Sequence, residues 1–129
     1  MSTVMSSVDK SRLEPVLGPG TSWPSHHLRN LIDTSKIVTP KRIPPDVVTM
    51  NSRVRIRDLQ WDEVEVVTLV YPDATGYAPG SVSVTAPLGA ALLGARVGEE
   101  ARWMGARGPR RVVVEAIEFQ PESAGQYDL

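Results

Sequence analysis

A metal site or an acid–base centre has to begin with histidine and carboxylate side chains, and this chain places few of them usefully. His26 and His27 are its only histidines. Neighbours on a helix diverge by about 100°, so the two cannot grip one ion together, and no third ligand stands at a useful spacing. Glu99-Glu100 and Asp62-Glu63 are adjacent carboxylates. Adjacent side chains on a strand point to opposite faces, so these pairs read as surface charges beside turns. There is no cysteine, which removes disulfides and thiolate metal sites. No GxSxG, Walker loop or GxGxxG in a βαβ pattern is present. The expectation is a chain with no catalytic residue, no metal site and no cofactor.

Two further groupings invite a binding role. Arg53, Arg55 and Arg57 alternate along one segment and could line up phosphates. The glutamates of a facing strand would neutralise such a row, which favours a structural role. Residues 1–45 carry six basic groups against three acidic, and the remainder eight against twelve. A basic arm on an acidic body fits a polyanionic partner for the arm, and equally a solvated helical surface. The seven aromatic residues (Trp23, Trp61, Tyr71, Tyr77, Trp103, Phe119, Tyr127) are scattered and do not outline a ligand pocket.

The elements that carry these residues follow from proline and periodicity. Six of the eleven prolines precede residue 46, so that region has room only for short helices. One is expected over Val8–Leu17, capped by Ser7 or Asp9. A second is expected over Ser25–Val38, with Leu28, Leu31, Ile32 and Ser35 on one face and Ser22 or Ser25 as cap. Gly18–Ser22 is the loop between them, and Thr39–Pro45 a proline-rich joint. From Asp46 the period becomes two. Arg53–Arg57 and Glu63–Val66 read as a hairpin around a five-residue loop, which would set Arg57 opposite Glu63 and Arg55 opposite Glu65. More strands are expected at Thr68–Tyr71, Ser81–Thr85, Ala101–Met104 and Arg111–Phe119, and a short helix at Pro87–Gly94 with Leu88, Leu92 and Leu93 inward. The class is α+β: a mostly antiparallel sheet around one short helix, behind a short N-terminal helical hairpin. The chain divides into an arm, 1–45, and a body, 46–129, which is expected to fold by itself.

No apolar run nears the roughly 20 residues of a membrane helix. Met1–Val8 has neither a basic start nor an apolar stretch. A cytoplasmic monomer without membrane contact is expected.

Asp46-Val47-Val48-Thr49-Met50-Asn51-Ser52-Arg53-Val54 resembles the opening of the C-terminal domain of the GreA/GreB transcription factors. Ala86-Pro87-Leu88-Gly89-Ala90-Ala91-Leu92-Leu93-Gly94-Ala95-Arg96-Val97-Gly98-Glu99 resembles that domain's most distinctive stretch, and Thr68–Pro72 falls between them at the right spacing. The ending, Phe119 to Leu129, is similar to the family branch of nucleoside diphosphate kinase regulators. The resemblance covers residues 46–129 and reaches the helical region only in layout.

It implies an FKBP-like sheet bent around a helix, and docking on RNA polymerase at the rim of the secondary channel. The implied contact residues are Thr85, Ala86, Pro87, Leu88 and Gly89. Nucleic acid would be met only indirectly, through the transcription complex. Gre factors use a long helical finger whose acidic tip helps hold magnesium and promotes transcript cleavage. Gly18–Pro24 contains no Asp or Glu and the helices are short, so cleavage is not expected here. Occupying the polymerase site would instead exclude other factors. One departure stands out: Thr85 replaces the aspartate that Gre factors carry two residues before the proline, while Pro87 is kept. Two rival readings remain: a nucleic-acid-binding module using the arm with Arg107, Arg110 and Arg111, and an FKBP-like peptidyl-prolyl isomerase, which needs a concave aromatic pocket.

Overall fold

The computed structural model describes residues 3–17, 22–72 and 79–126. In chain order the elements are β1 (Val4–Ser6), α1 (Ser7–Leu17), α2 (Trp23–Thr34), β2 (Lys36–Val38), a 3₁₀ turn (Pro40–Arg42), β3 (Arg53–Asp58), β4 (Glu63–Val70), β5 (Ser81–Ser83), α3 (Pro87–Leu92), β6 (Glu100–Gly105) and β7 (Gly108–Phe119). The expected α+β class is observed.

The helical arm starts from its caps. Ser6 Oγ accepts the N–H of Asp9 at 3.0 Å and opens α1. Ser22 caps α2, accepting from the N–H of Ser25, and Pro24 sits in the first turn, where its missing N–H costs nothing. The second helix ends at Thr34, four residues before the expected Val38. Ser35 leaves the helical region at ψ 147° and caps Leu31, whose carbonyl accepts both its N–H (2.9 Å) and its hydroxyl (2.5 Å). The β-branched Ile37 and Val38 then form β2, which pairs in parallel with β1. Neither strand was expected, because three residues are too few to show a period.

The body is a five-stranded sheet in the order β5-β4-β3-β7-β6, antiparallel except for the β4–β5 pair. The two strands expected at 63–66 and 68–71 are one continuous β4, and the expected loop at 71–80 falls largely outside the described residues. Val54 and Ile56 of β3, Val67 and Leu69 of β4, Val112 and Val114 of β7 and Ala101 of β6 are buried on the concave face. Helix α3 packs there with Ala90, Leu92 and Leu93 buried and Leu88 half-buried. Gly89 makes this fit possible, since a Cβ on it would stand 2.0 Å from the carbonyl oxygen of Ser83.

The arm does not stand apart from the body. Leu13, Leu28, Leu31 and Ile32 belong to the same buried cluster as Met50, Leu69 and Leu92. The joint is fixed as well. Gln120 Nε2 donates to the carbonyls of Pro44 (2.9 Å) and Val47 (2.7 Å), so the segment after β7 is stapled to the proline-rich link.

The β3–β4 register corrects the expected one. Asp58 is the last residue of β3, and the turn is the four residues Leu59–Asp62. Arg57 lies opposite Val64 and Arg55 opposite Val66, while Glu65 faces Ile56 and Glu63 faces Asp58. The cause is an Asx turn: Asp58 Oδ1 accepts the N–H groups of Gln60 (2.8 Å) and Trp61 (3.1 Å). A one-residue slip moves every side chain to the other face. The arginine row is neutralised all the same, by β7 on its other side and by the turn. Arg57 meets Glu115 at 2.6 Å and Asp62 at 2.9 Å, Arg55 meets Glu115 at 3.5 Å, and Arg53 meets Glu118 at 3.6 Å.

Candidate docking surface

The turn Thr85–Gly89 leads into α3 at one end of the concave face. Ser83 shapes it: its hydroxyl lies 2.7 Å from that of Thr85 and accepts the Thr85 N–H at 3.1 Å, and its carbonyl accepts the Ala86 N–H at 3.0 Å. Thr85 and Pro87 are exposed, Ala86 and Leu88 are half-buried, and Gly89 is buried against Ser83. Pro87 fixes φ where the helix begins. The turn is therefore held from beneath by Ser83, with Thr85 and Pro87 facing outward.

Beside it lies a small hollow of about 130 Å³, lined by Ile56, Val112, Leu88 and Trp103, with Asp58, Arg110, Glu63 and Glu65 as its charged groups. Arg110 is bonded to Asp58 through Nη2 and lies 5.7 Å over the Trp103 ring. Its Nε is buried without a hydrogen-bond partner. Burial alone would raise the pKa of Asp58. The Arg110 guanidinium and the N–H groups of Trp61 and Gln60 outweigh it and hold the carboxyl below its ordinary value. The hollow has one aromatic wall and a charged rim, which is not the aromatic cup an isomerase would need. Sequence reasoning missed it, because the expected register put Glu63 and Glu65 on the opposite face. The signal was Asp58 at the head of a turn.

The other candidate residues are dispersed. His26 is exposed. His27 stacks on Trp23 with ring centroids 4.8 Å apart, and burial lowers its pKa. Glu99 accepts the N–H of Arg96 at 2.7 Å, Glu100 pairs with Arg102 at 3.0 Å, and Asp62 pairs with Arg57. Among the described residues no three histidine or acidic groups cluster as a metal site would require. Arg110 and Arg111 face Asp58 and Glu100 respectively, so they do not extend the arm into a phosphate track. Trp61 and Met104 are conspicuously exposed, at 61% and 65%. Residues 18–21 of the loop between α1 and α2 lie outside the described residues.

A sheet curled over one short helix, opened by a proline turn and preceded by a docked helical hairpin, defines the class. The chain belongs to the GreA/GreB transcription elongation factor family: residues 43–119 match the domain described as "Transcription elongation factor, GreA/GreB, C-term". Over 99 residues it is 46% identical to the "Regulator of nucleoside diphosphate kinase" of Escherichia coli K12, covering 76% of this chain and 73% of that protein. It is 35% identical to the "Transcription elongation factor GreA" of Chlorobium phaeobacteroides over 82 residues, 63% of this chain and 52% of the relative. The solved GreA/GreB structure from Nitrosomonas europaea superposes with a TM-score of 0.78 at 35% identity, covering 92% of this chain and 99% of that one. The chain is thus a transcription-related regulator of this family, and its relatives carry the names of regulators and elongation factors, not of catalysts.

Proposed function

We propose that this protein is a non-catalytic regulator that binds RNA polymerase at the rim of the secondary channel, excludes Gre-type factors from that site and does not stimulate transcript cleavage. The observation that carries the reading is the Thr85–Gly89 turn, an exposed proline-capped feature locked from below by Ser83 and Gly89. The family's most distinctive stretch lies in this turn and the helix behind it. The arm supports the second half of the reading. Helices α1 and α2 have 11 and 12 residues, or about 16 and 18 Å at 1.5 Å per residue. Gly18–Pro24 holds no carboxylate to ligate a cation.

The test is capture of purified RNA polymerase core enzyme, with competition by a Gre factor and an assay of stalled-transcript cleavage. Binding, displacement of the Gre factor and no cleavage are expected. Pro87→Asn should weaken binding about tenfold while leaving the melting temperature within a few degrees, because Pro87 is exposed. Unaltered binding by that variant, or cleavage by the parent, would overturn the corresponding part.

A further inference from the structure

The hollow beside Leu88 holds charges that the fold does not use. The other carboxylates on the strands of the large sheet each face an arginine: Asp58 with Arg110, Glu100 with Arg102, Glu115 with Arg57 and Glu118 with Arg53. Glu63 and Glu65 have no ion pair or side-chain hydrogen bond among the described residues. They sit two apart on β4, so both point to the concave side, about 7 Å apart along the strand. Glu63 also stands directly opposite Asp58, a like-charge pairing that weakens a sheet. Around the hollow, three carboxylates meet one guanidinium, a net −2, and that guanidinium is already committed to Asp58. The floor is apolar: Ile56, Val112, Leu88 and the Trp103 ring.

This combination specifies an occupant. An anionic rim repels phosphate, so a nucleotide or nucleic-acid strand does not fit. A hollow of about 130 Å³ whose apolar surface is mainly Leu88 and the Trp103 ring, with Ile56 and Val112 nearly buried beneath, has room for one side chain. Leu88 belongs both to the hollow and to the docking turn, so whatever covers one covers the other. We propose that the hollow is the specificity pocket of the docking surface: it takes an apolar side chain of the polymerase next to a lysine or arginine, and Glu63 and Glu65 hold that cation. The inference rests on the docking reading given above and names the chemistry of the partner segment.

The experiment measures affinity of the 129-residue chain for polymerase core enzyme between ~50 and ~300 mM salt, where screening of exposed charges changes steeply. The parent, Pro87→Asn, the double variant Glu63→Gln/Glu65→Gln and Glu65→Lys are compared, with melting temperatures for each. The glutamates are exposed and have no ion-pair partner among the described residues, so the variants should melt like the parent or slightly higher. The double variant should bind about tenfold more weakly at low salt, mainly through slower association, with a flatter salt dependence. Glu65→Lys should bind more weakly still. If the parent binds, Pro87→Asn binds poorly and the double variant matches the parent at every salt concentration, the charge assignment is wrong and the docking reading stands. If the parent itself does not bind polymerase, both fall together.

Discussion

Asp9 lies where the arm, the body and the segment after β7 meet, and it is 2% exposed. Its Oδ2 accepts the N–H of Met50 at 3.2 Å, and the Tyr71 hydroxyl approaches Oδ1 at 3.5 Å. Burial is the main influence on the carboxyl, and Glu122 adds to it. The Met50 N–H, Arg12 and Tyr71 work in the opposite direction, and the pKa is pushed up to about 7 from 3.8. Burial likewise raises the Tyr71 phenol. The folded state therefore binds the Asp9 proton more tightly than the unfolded state. The stabilisation is complete below about pH 4 and is lost as the pH rises through about 7, at up to roughly 4 kcal/mol for three units. Melting followed from pH 5 to pH 8 should show the parent losing stability relative to Asp9→Asn, which removes this slope. Parallel curves for the two proteins would rule Asp9 out as the titrating group.

Among the elements, α3 is the one whose position decides the candidate surface. Its proline start, the inward Leu92 and Leu93 and the glycine beyond its end were all legible, because a short helix announces itself through its ends. That Gly89 admits a close backbone approach was legible as well, but not that the backbone is that of Ser83, because a residue without a side chain does not name its neighbour. Gly89→Ala would put a methyl group on the Ser83 carbonyl, and both atoms belong to backbone. The helix would have to lift from β5 at a cost of about 2 kcal/mol or more. Polymerase binding and melting temperature should therefore fall together, unlike in Pro87→Asn, and a Gly89→Ala protein with parental stability would show that the contact yields. The β3–β4 hairpin teaches the complementary lesson. Alternation located both strands, but the register depended on Asp58 bonding to the turn, a side-chain event that alternation does not record. That slip hid the anionic side of the hollow. Strands β1 and β2 were hidden by brevity, each being stabilised by the other 32 positions away.

At the scale of the molecule, the sequence divides visibly at the prolines, whereas the buried cluster does not divide. Met5, Leu13, Leu17, Leu28, Leu31 and Ile32 come from the arm, and Leu31 reaches within 3.6 Å of where a Cβ on Gly94 would stand. Binary pattern shows which face of a helix is apolar but not what covers it, so the arm's stripe gave no sign of its partner. A chain beginning at residue 46 keeps the whole five-stranded sheet and should still unfold cooperatively. It uncovers Met50 and Leu92, however, and a loss of only about 3 kcal/mol lowers the melting temperature by roughly 12–24 °C in a domain of this size. Calorimetry of the two lengths checks this. Equal melting temperatures would mean that the arm adds nothing to the core.

The strand order also sets a timetable for synthesis. Strand β3 lies between β4 and β7, and β7 begins 50 residues after β3 ends, at Gly108 against Asp58. At about 5–20 residues per second a ribosome needs roughly 3–10 s to make that stretch. Throughout it the nascent β3–β4 hairpin exposes one unpaired edge of what will become the middle of the sheet. An apolar edge of that kind invites strands from neighbouring chains. Arg53, Arg55 and Arg57 stand on every second position of that strand, where like-charge repulsion would oppose pairing between nascent copies until Glu115 and Glu118 arrive to neutralise it. The arginine row that resembled a phosphate strip would thus shield the growing chain before it becomes part of the finished sheet.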